Sequence, residues 1–290
     1  MKKSAFLILL TTGLLSFSAD RDNYQQQTPP GTIQVSKKLY CDISEISNTD
    51  WKEYMNWTKI VFGETSAEYK ATKPDETVWS QDSLDMGGLS EEYFRLPIYK
   101  YNPVVGITQK QAMAYAKWRS DRVFERILID FKELPNDQSR MNRDNYFTTE
   151  KYYASKFTPE NAPKLEWYPE YHLPTLDQRD LILHQNDSIG EQLARKAKQE
   201  YLPPFYANVL NDFSKKEITI STSNPYYSLP AKNAVLNLRG NVSEWTDEED
   251  VAVGGSWHET PERIMQSDNY EYKKPNAWTG FRCVFEWKKN

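Results

Sequence analysis

Cysteine and histidine are scarce: the 290 residues hold only Cys41 and Cys283, and only His172, His184 and His258. Three histidines this far apart give none of the close ligand pairs that a spaced metal motif uses. A surplus of positive charge is also missing. Thirty-six Lys and Arg against 41 Asp and Glu leave a net charge of −5, with the two signs well mixed. No basic stripe for nucleic acid is formed, so a nucleic-acid partner is not expected. Beyond the first residues no apolar run approaches the roughly 20 residues that span a bilayer, and mean hydropathy is −0.78. Ser256, in Gly254-Gly255-Ser256-Trp257, lacks the second glycine of a hydrolase nucleophile elbow. The glycine clusters have no strand-to-helix G-x-G-x-x-G spacing, which excludes a dinucleotide loop.

The two thiols leave two alternatives. In an oxidising compartment Cys41 and Cys283 could pair, and so long a loop would be stabilised by roughly 5 kcal/mol in the simple entropy model. Otherwise both are buried small hydrophobes.

Aromatic residues are abundant: 9 Trp, 19 Tyr and 12 Phe. That suits short strands and packed irregular loops, where large rings fill gaps between non-repeating backbone. The N-terminus reads as a secretory signal peptide over residues 1–19. Lys2 and Lys3 precede the apolar run Ala5 to Leu15, and Ser16-Phe17-Ser18-Ala19 supplies small residues before a cut at Asp20. No Cys follows the run, so a lipoprotein anchor is not indicated. The mature chain is expected in the periplasm or outside the cell, with no stable membrane span after cleavage.

Residues 20–31, rich in Gln, Asp and Pro, read as a flexible mature N-terminus. Strand character follows over Ile33 to Ile46. Ser47 or Asn48 can cap a helix whose face is Trp51, Tyr54, Met55, Thr58, Val61 and Phe62, ended by Gly63. Residues 64–100 read as loop. Pro103 to Ile107 reads as a short strand, and Thr108 with Gln111 makes a capping box for a helix to about Phe131. Residues 132–170 lack apolar periodicity and read as an insertion within one domain over 32–290. Thr175 and Gln178 repeat the capping box for a helix to about His184, with a polar helical patch near 189–200. Glu217 to Ile220 reads as a strand. Phe281, Cys283, Phe285 and Trp287 alternate with Arg282, Val284 and Glu286 in a terminal strand with one aromatic face.

The stretch with most chemical content is Leu238-Arg239-Gly240-Asn241-Val242-Ser243-Glu244-Trp245-Thr246. Asn241 and Glu244 can direct side-chain oxygens at one point, with backbone carbonyls between them, as a Ca²⁺ site requires. Equally, Asn241 can brace an Asx-turn while Glu244 pairs with an arginine such as Arg282.

At these residues the chain resembles the formylglycine-generating enzyme, or sulfatase-modifying factor, family. The family's G-N-V-x-E-W-T, R-G-G-S-W and G-F-R-C runs stand here as Gly240 to Thr246, Val253 to Trp257 and Gly280 to Cys283. Pro30-Gly31-Thr32, Asp42 to Asn48, Pro103 to Trp118 and Leu173-Pro174-Thr175 resemble its earlier markers in order, so the resemblance covers residues 30–288. It implies an α+β formylglycine-generating-enzyme fold, C-type lectin-like, with short strands, few helices, much irregular loop, and N- and C-terminal strands side by side. It also implies a structural Ca²⁺ held by Asn241, Glu244 and the Val242 carbonyl.

The departures bear on function. Family oxidases hold copper with two cysteines a few residues after G-G-S-W, because thiolates are the soft ligands Cu(I) takes. His258-Glu259-Thr260-Pro261-Glu262-Arg263-Ile264 contains none, so no copper and no catalytic residues are expected. The family's partner for the G-F-R-C cysteine is Ala116 here. These departures point to an exported pseudoenzyme that binds or scaffolds protein partners in the cell envelope. The loop before Leu173 and the segment from Gly254 to Cys283 look similar to family members of gliding motility and type IX secretion, most of which, unlike this chain, are lipoproteins. The alternative is an oxidoreductase with non-Cys chemistry at His258, Glu259 or Glu262. A further reading is a carbohydrate or peptide binder lined by Trp245, Trp257 and Trp278.

Overall fold

A computed structural model of the chain describes residues 24–80, 87–198, 234–266 and 269–290. The signal peptide expected over residues 1–19 and the strand expected at Glu217 to Ile220 both lie outside these residues. The strands are β1 (Thr32–Gln34), β2 (Tyr40–Asp42), β3 (Trp167–His172), β4 (Ser243–Trp245), β5 (Val251–Val253), β6 (Asn269–Glu271), β7 (Thr279–Gly280) and β8 (Val284–Lys289). The helices are α1 (Asn48–Phe62), α2 (Ala67–Lys70), α3 (Gly87–Glu92), α4 (Gln109–Asp130), α5 (Thr149–Tyr153), α6 (Leu176–Ala197) and α7 (Pro261–Gln266). Only α1, α4 and α6 exceed two turns, in keeping with a fold of few long helices and much loop.

The three long helices begin where their side chains can satisfy the first backbone N–H groups. Ser47 with Asp50, Thr108 with Gln111, and Thr175 with Gln178 each form a reciprocal capping box. The expected break between residues 184 and 189 is absent, and α6 runs unbroken for 22 residues. Its latter half is polar and largely exposed, so apolar periodicity fades there without the helix ending.

Two four-stranded sheets form, ordered β1-β2-β8-β3 and β6-β5-β4-β7. The first is antiparallel throughout; in the second, β4 and β7 run parallel. N- and C-terminal strands are neighbours, with Tyr40 opposite Phe285 and Cys41 opposite Val284. Directly opposed residues share a sheet face and consecutive ones alternate. Cys41 and Val284 therefore pack on one face, with Leu39, Ile182 and Leu238. Cys283 packs on the other, with Tyr115, Trp51 and Phe285. The thiols are both buried and free, and the pleat separates them.

The terminal strand departs from simple alternation. Phe281, Cys283 and Phe285 are buried as expected, but Arg282 and Val284 are buried too. The face that would be solvated is covered by Ile182 of α6 and by Val235 and Leu238. Two other stretches also differ from the sequence expectation. Residues 24–31 are anchored: Tyr24 is buried, packs edge-on against Phe131 and Trp287, and donates its hydroxyl to the Trp167 carbonyl. Residues 132–170 contribute Phe147, Tyr152 and Leu165 to an apolar cluster with Phe124, Ile127 and Leu128 of α4, and their end enters β3. Their anchors are spaced by loop geometry, so no regular period marks them. Pro103 to Ile107 is extended and buried but makes only an isolated bridge, Ser47 to Pro103. No helix among the described residues is long and apolar enough to cross a membrane.

Candidate functional site

The site is framed by two interlocked turns. Asn237, Gly240 and Asn241 adopt positive φ before β4, and Gly254 and Gly255 do so after β5. The Gly240 N–H donates to the Gly254 carbonyl at 2.8 Å. A Cβ on Gly254 would meet the Leu238 carbonyl oxygen at 2.7 Å, and its φ of +90° is strained for any L side chain. The backbones approach as closely as they do only because this residue is glycine.

Beneath the first turn lies a buried charged seam. Glu244 and Arg282 are each 1 % exposed. Arg282 Nε donates to Glu244 Oε2 at 2.7 Å, and Nη2 donates to Oε1. The remaining guanidinium hydrogens reach the carbonyls of Asp42 (3.1 Å) and Leu236 (2.7 Å). Burial works against the guanidinium charge, but the Glu244 carboxylate and its hydrogen bonds outweigh it and hold the Arg282 pKa above its ordinary range. Asn241 Nδ2 donates to Glu45 Oε1 at 2.8 Å, and Asn237 Nδ2 to Glu45 Oε2 at 3.3 Å. Burial, with Glu244 adding to it, lifts the Glu45 carboxyl to about 7 against the pull of Arg282 and the Asn241 bond. Alongside, Arg119 grips Asp42 through two bonds of 2.8 and 2.9 Å.

The residues named for Ca²⁺ are placed together but turned to other partners. Both Glu244 oxygens serve Arg282, the Asn241 amide nitrogen faces Glu45, and the Asn241 carbonyl accepts from Trp257 N at 3.0 Å. Val242 is buried among Trp79, Val105 and Trp257. The Glu244 carboxylate is therefore engaged by the guanidinium of Arg282. Glu45 lies inside the Asp42 to Asn48 marker but carries no sign of its partners there, and Asn237 was not singled out; only the fold brings residues 45, 237, 241 and 282 together.

The second region follows the double glycine. Ser256 and Glu259 are buried. The Ser256 N–H donates to Glu259 Oε2 at 2.9 Å and its hydroxyl donates to the same oxygen. The Tyr272 hydroxyl donates to Glu259 Oε1 at 3.3 Å. Burial, and then the Glu259 charge, push the Tyr272 phenol upward. His258 stacks on Trp278 with ring centroids 4.2 Å apart and 12° between planes. Trp257 meets Trp278 edge-on and stacks on Trp79. Trp245 and Trp257 are buried at 2 % and 3 % exposure, leaving half-buried Trp278 as the member of that trio open to a ligand. Glu262 is exposed on α7. Tyr272 was not expected at the site; β6 brings it there from beyond α7.

Neither thiol joins either region as a nucleophile. Burial pushes Cys41 up to about 12 and Cys283 upward as well, so both stay protonated at neutral pH.

Among solved structures, the chain is similar to the one described as the crystal structure of CarF, with 15 % identity, a TM-score of 0.44, and 86 % of each chain covered. It is also similar to Treponema denticola variable protein 1, with 12 % identity, a TM-score of 0.39, and 85 % of this chain and 84 % of that one covered. No curated protein sequence matches it. The profile of the sulfatase-modifying factor enzyme 1-like domain matches residues 2–287. With nearly its whole length matched, the chain belongs to the sulfatase-modifying factor (formylglycine-generating enzyme-like) family.

Proposed function

We propose that the chain is an exported, non-catalytic member of this family that binds or scaffolds protein partners in the cell envelope. The observation that carries this reading is the content of the segment between Trp257 and Gly280. Where the oxidases place two copper-binding cysteines, this chain has His258, Glu259 and an apolar-anchored α7, and no thiol. Its two thiols lie on opposite faces of the first sheet, where no side-chain movement could bring them together on one Cu(I) ion. The leader-like first 19 residues support export, and the resemblance of the loop before Leu173 supports a role beside gliding-motility or type IX secretion components.

The test is metal analysis of the purified mature protein together with conversion of a cysteine-containing sulfatase peptide to its aldehyde. Neither copper nor aldehyde is expected. Stoichiometric copper with aldehyde product overturns the reading.

The contacts among Ser256, Glu259 and Tyr272 favour one second reading, an oxidoreductase of the same family with non-Cys chemistry at His258 and Glu259. Turnover of any peptide thiol that is lost in H258A would establish it. Glu262, exposed on α7, is the third residue of that reading.

A further inference from the structure

Glu259 is 5 % exposed, yet its oxygens accept only from the neutral donors of Ser256 and Tyr272. Among the described residues no lysine or arginine reaches it. The next basic residue along the chain, Arg263, lies over the Tyr270 ring at 5.8 Å instead. His258 Nδ1 is 3.9 Å from Oε1, beyond hydrogen-bond reach. A buried carboxylate with no cation beside it is costly to hold.

The Ser256 Oγ accepts from the His258 N–H and the Glu259 N–H donates to the Ser256 carbonyl, so a tight turn, and no helix start, holds Glu259. Next to it stand aromatic faces: half-buried Trp278 stacked on half-buried His258, with Tyr272 bonded to Glu259 itself. Trp and Tyr faces attract cations, and a neighbouring carboxylate adds to that attraction.

We propose that Glu259, Tyr272, His258 and Trp278 form a binding site for an alkylammonium group, such as a lysine side chain presented by a protein partner. This rests on the reading of the chain as a binding protein and gives that site a ligand class. The ammonium supplies the charge that Glu259 lacks, while its methylenes lie against Trp278.

The mature protein would be titrated with a short lysine-bearing peptide and with its norleucine counterpart, followed by tryptophan fluorescence and calorimetry. Saturable binding of the lysine peptide is expected, at least about tenfold tighter than that of the norleucine peptide, or about 1.4 kcal/mol. E259Q keeps an acceptor oxygen for the Ser256 N–H and hydroxyl and is expected to bring the lysine peptide down to the norleucine level. W278L is expected to weaken it with the fold retained by circular dichroism, and it decides the question if E259Q misfolds. Equal binding of the two peptides, no saturation by about 10 mM, or unchanged affinity in the variants overturns the proposal. A failure here leaves the copper and aldehyde result untouched, so the two ideas fall separately.

Discussion

Two buried carboxylates, Glu244 and Glu259, sit on either side of the double-glycine turn and are treated in opposite ways. Glu244 is clasped by Arg282, which also gathers the Asp42 and Leu236 carbonyls. Glu259 meets only hydroxyls and one backbone N–H. The first arrangement is closed: the Glu244 carboxylate has its counter-charge in Arg282, and the pair joins β2, β4 and the start of β8. The second is open beside half-buried rings. A closed ion pair positions backbone, whereas an open one leaves an interaction for something else to make.

The sharpest way to break the closed side is Arg282→Met. It strands Glu244 and Glu45 in a dry seam, and a loss of about 3–5 kcal/mol is expected in urea unfolding. Adding Glu244→Gln should recover part of it. A loss under about 1 kcal/mol would show that the seam is wet and the comparison false. Gly254→Ala attacks the turn that separates the two regions. With φ at +90° and the Leu238 carbonyl 2.7 Å from the new Cβ, a cost of about 1–3 kcal/mol is expected, read from the thermal midpoint.

A subtler test uses pH. The Glu45 carboxyl is lifted to about 7 from the ordinary 4.5, chiefly by burial. The folded state therefore holds this proton more tightly than the unfolded chain does. That contribution to stability is fully present below the unfolded value and is lost as pH rises through about 7. Stability should fall between about pH 5 and pH 8, and Glu45→Gln should flatten that slope; an equally steep slope in the variant would remove Glu45 as its source. The smallest effects concern what the seam does not need. Neither EGTA nor a reductant should shift the melting temperature. A drop reversed by Ca²⁺ would place an ion among Asn241, Val242 and Glu244, and a drop with reductant would mean that Cys41 and Cys283 pair despite the pleat.

Much of the scaffold was readable from the chain. Capping boxes at Thr108 and Thr175 work through residues three apart, so their geometry is local, and both helices start where they say. The family's glycine, tryptophan and G-F-R-C runs likewise mark turns whose backbone needs are local. The site was legible only in part. Arg282 could be named as a partner for Glu244, but Asn237 and Tyr272 could not, and Glu45, though inside a family marker, gave no sign of partners almost 200 residues away. The aromatic anchors of residues 132–170 stayed hidden for the same reason: they fill gaps set by α4 and β3 and follow no period of their own.

The sequence by itself determined the family, the class of fold, the helix starts and the absence of a cysteine pair after Trp257, since these depend on residue identity and short-range spacing. Only the tertiary structure decided where the charges go. It gave Glu244 to Arg282, put Cys41 and Cys283 on opposite faces of one sheet, and left Glu259 among hydroxyls. Electrostatic partners are fixed by proximity and burial, and those exist only once distant strands have been brought side by side.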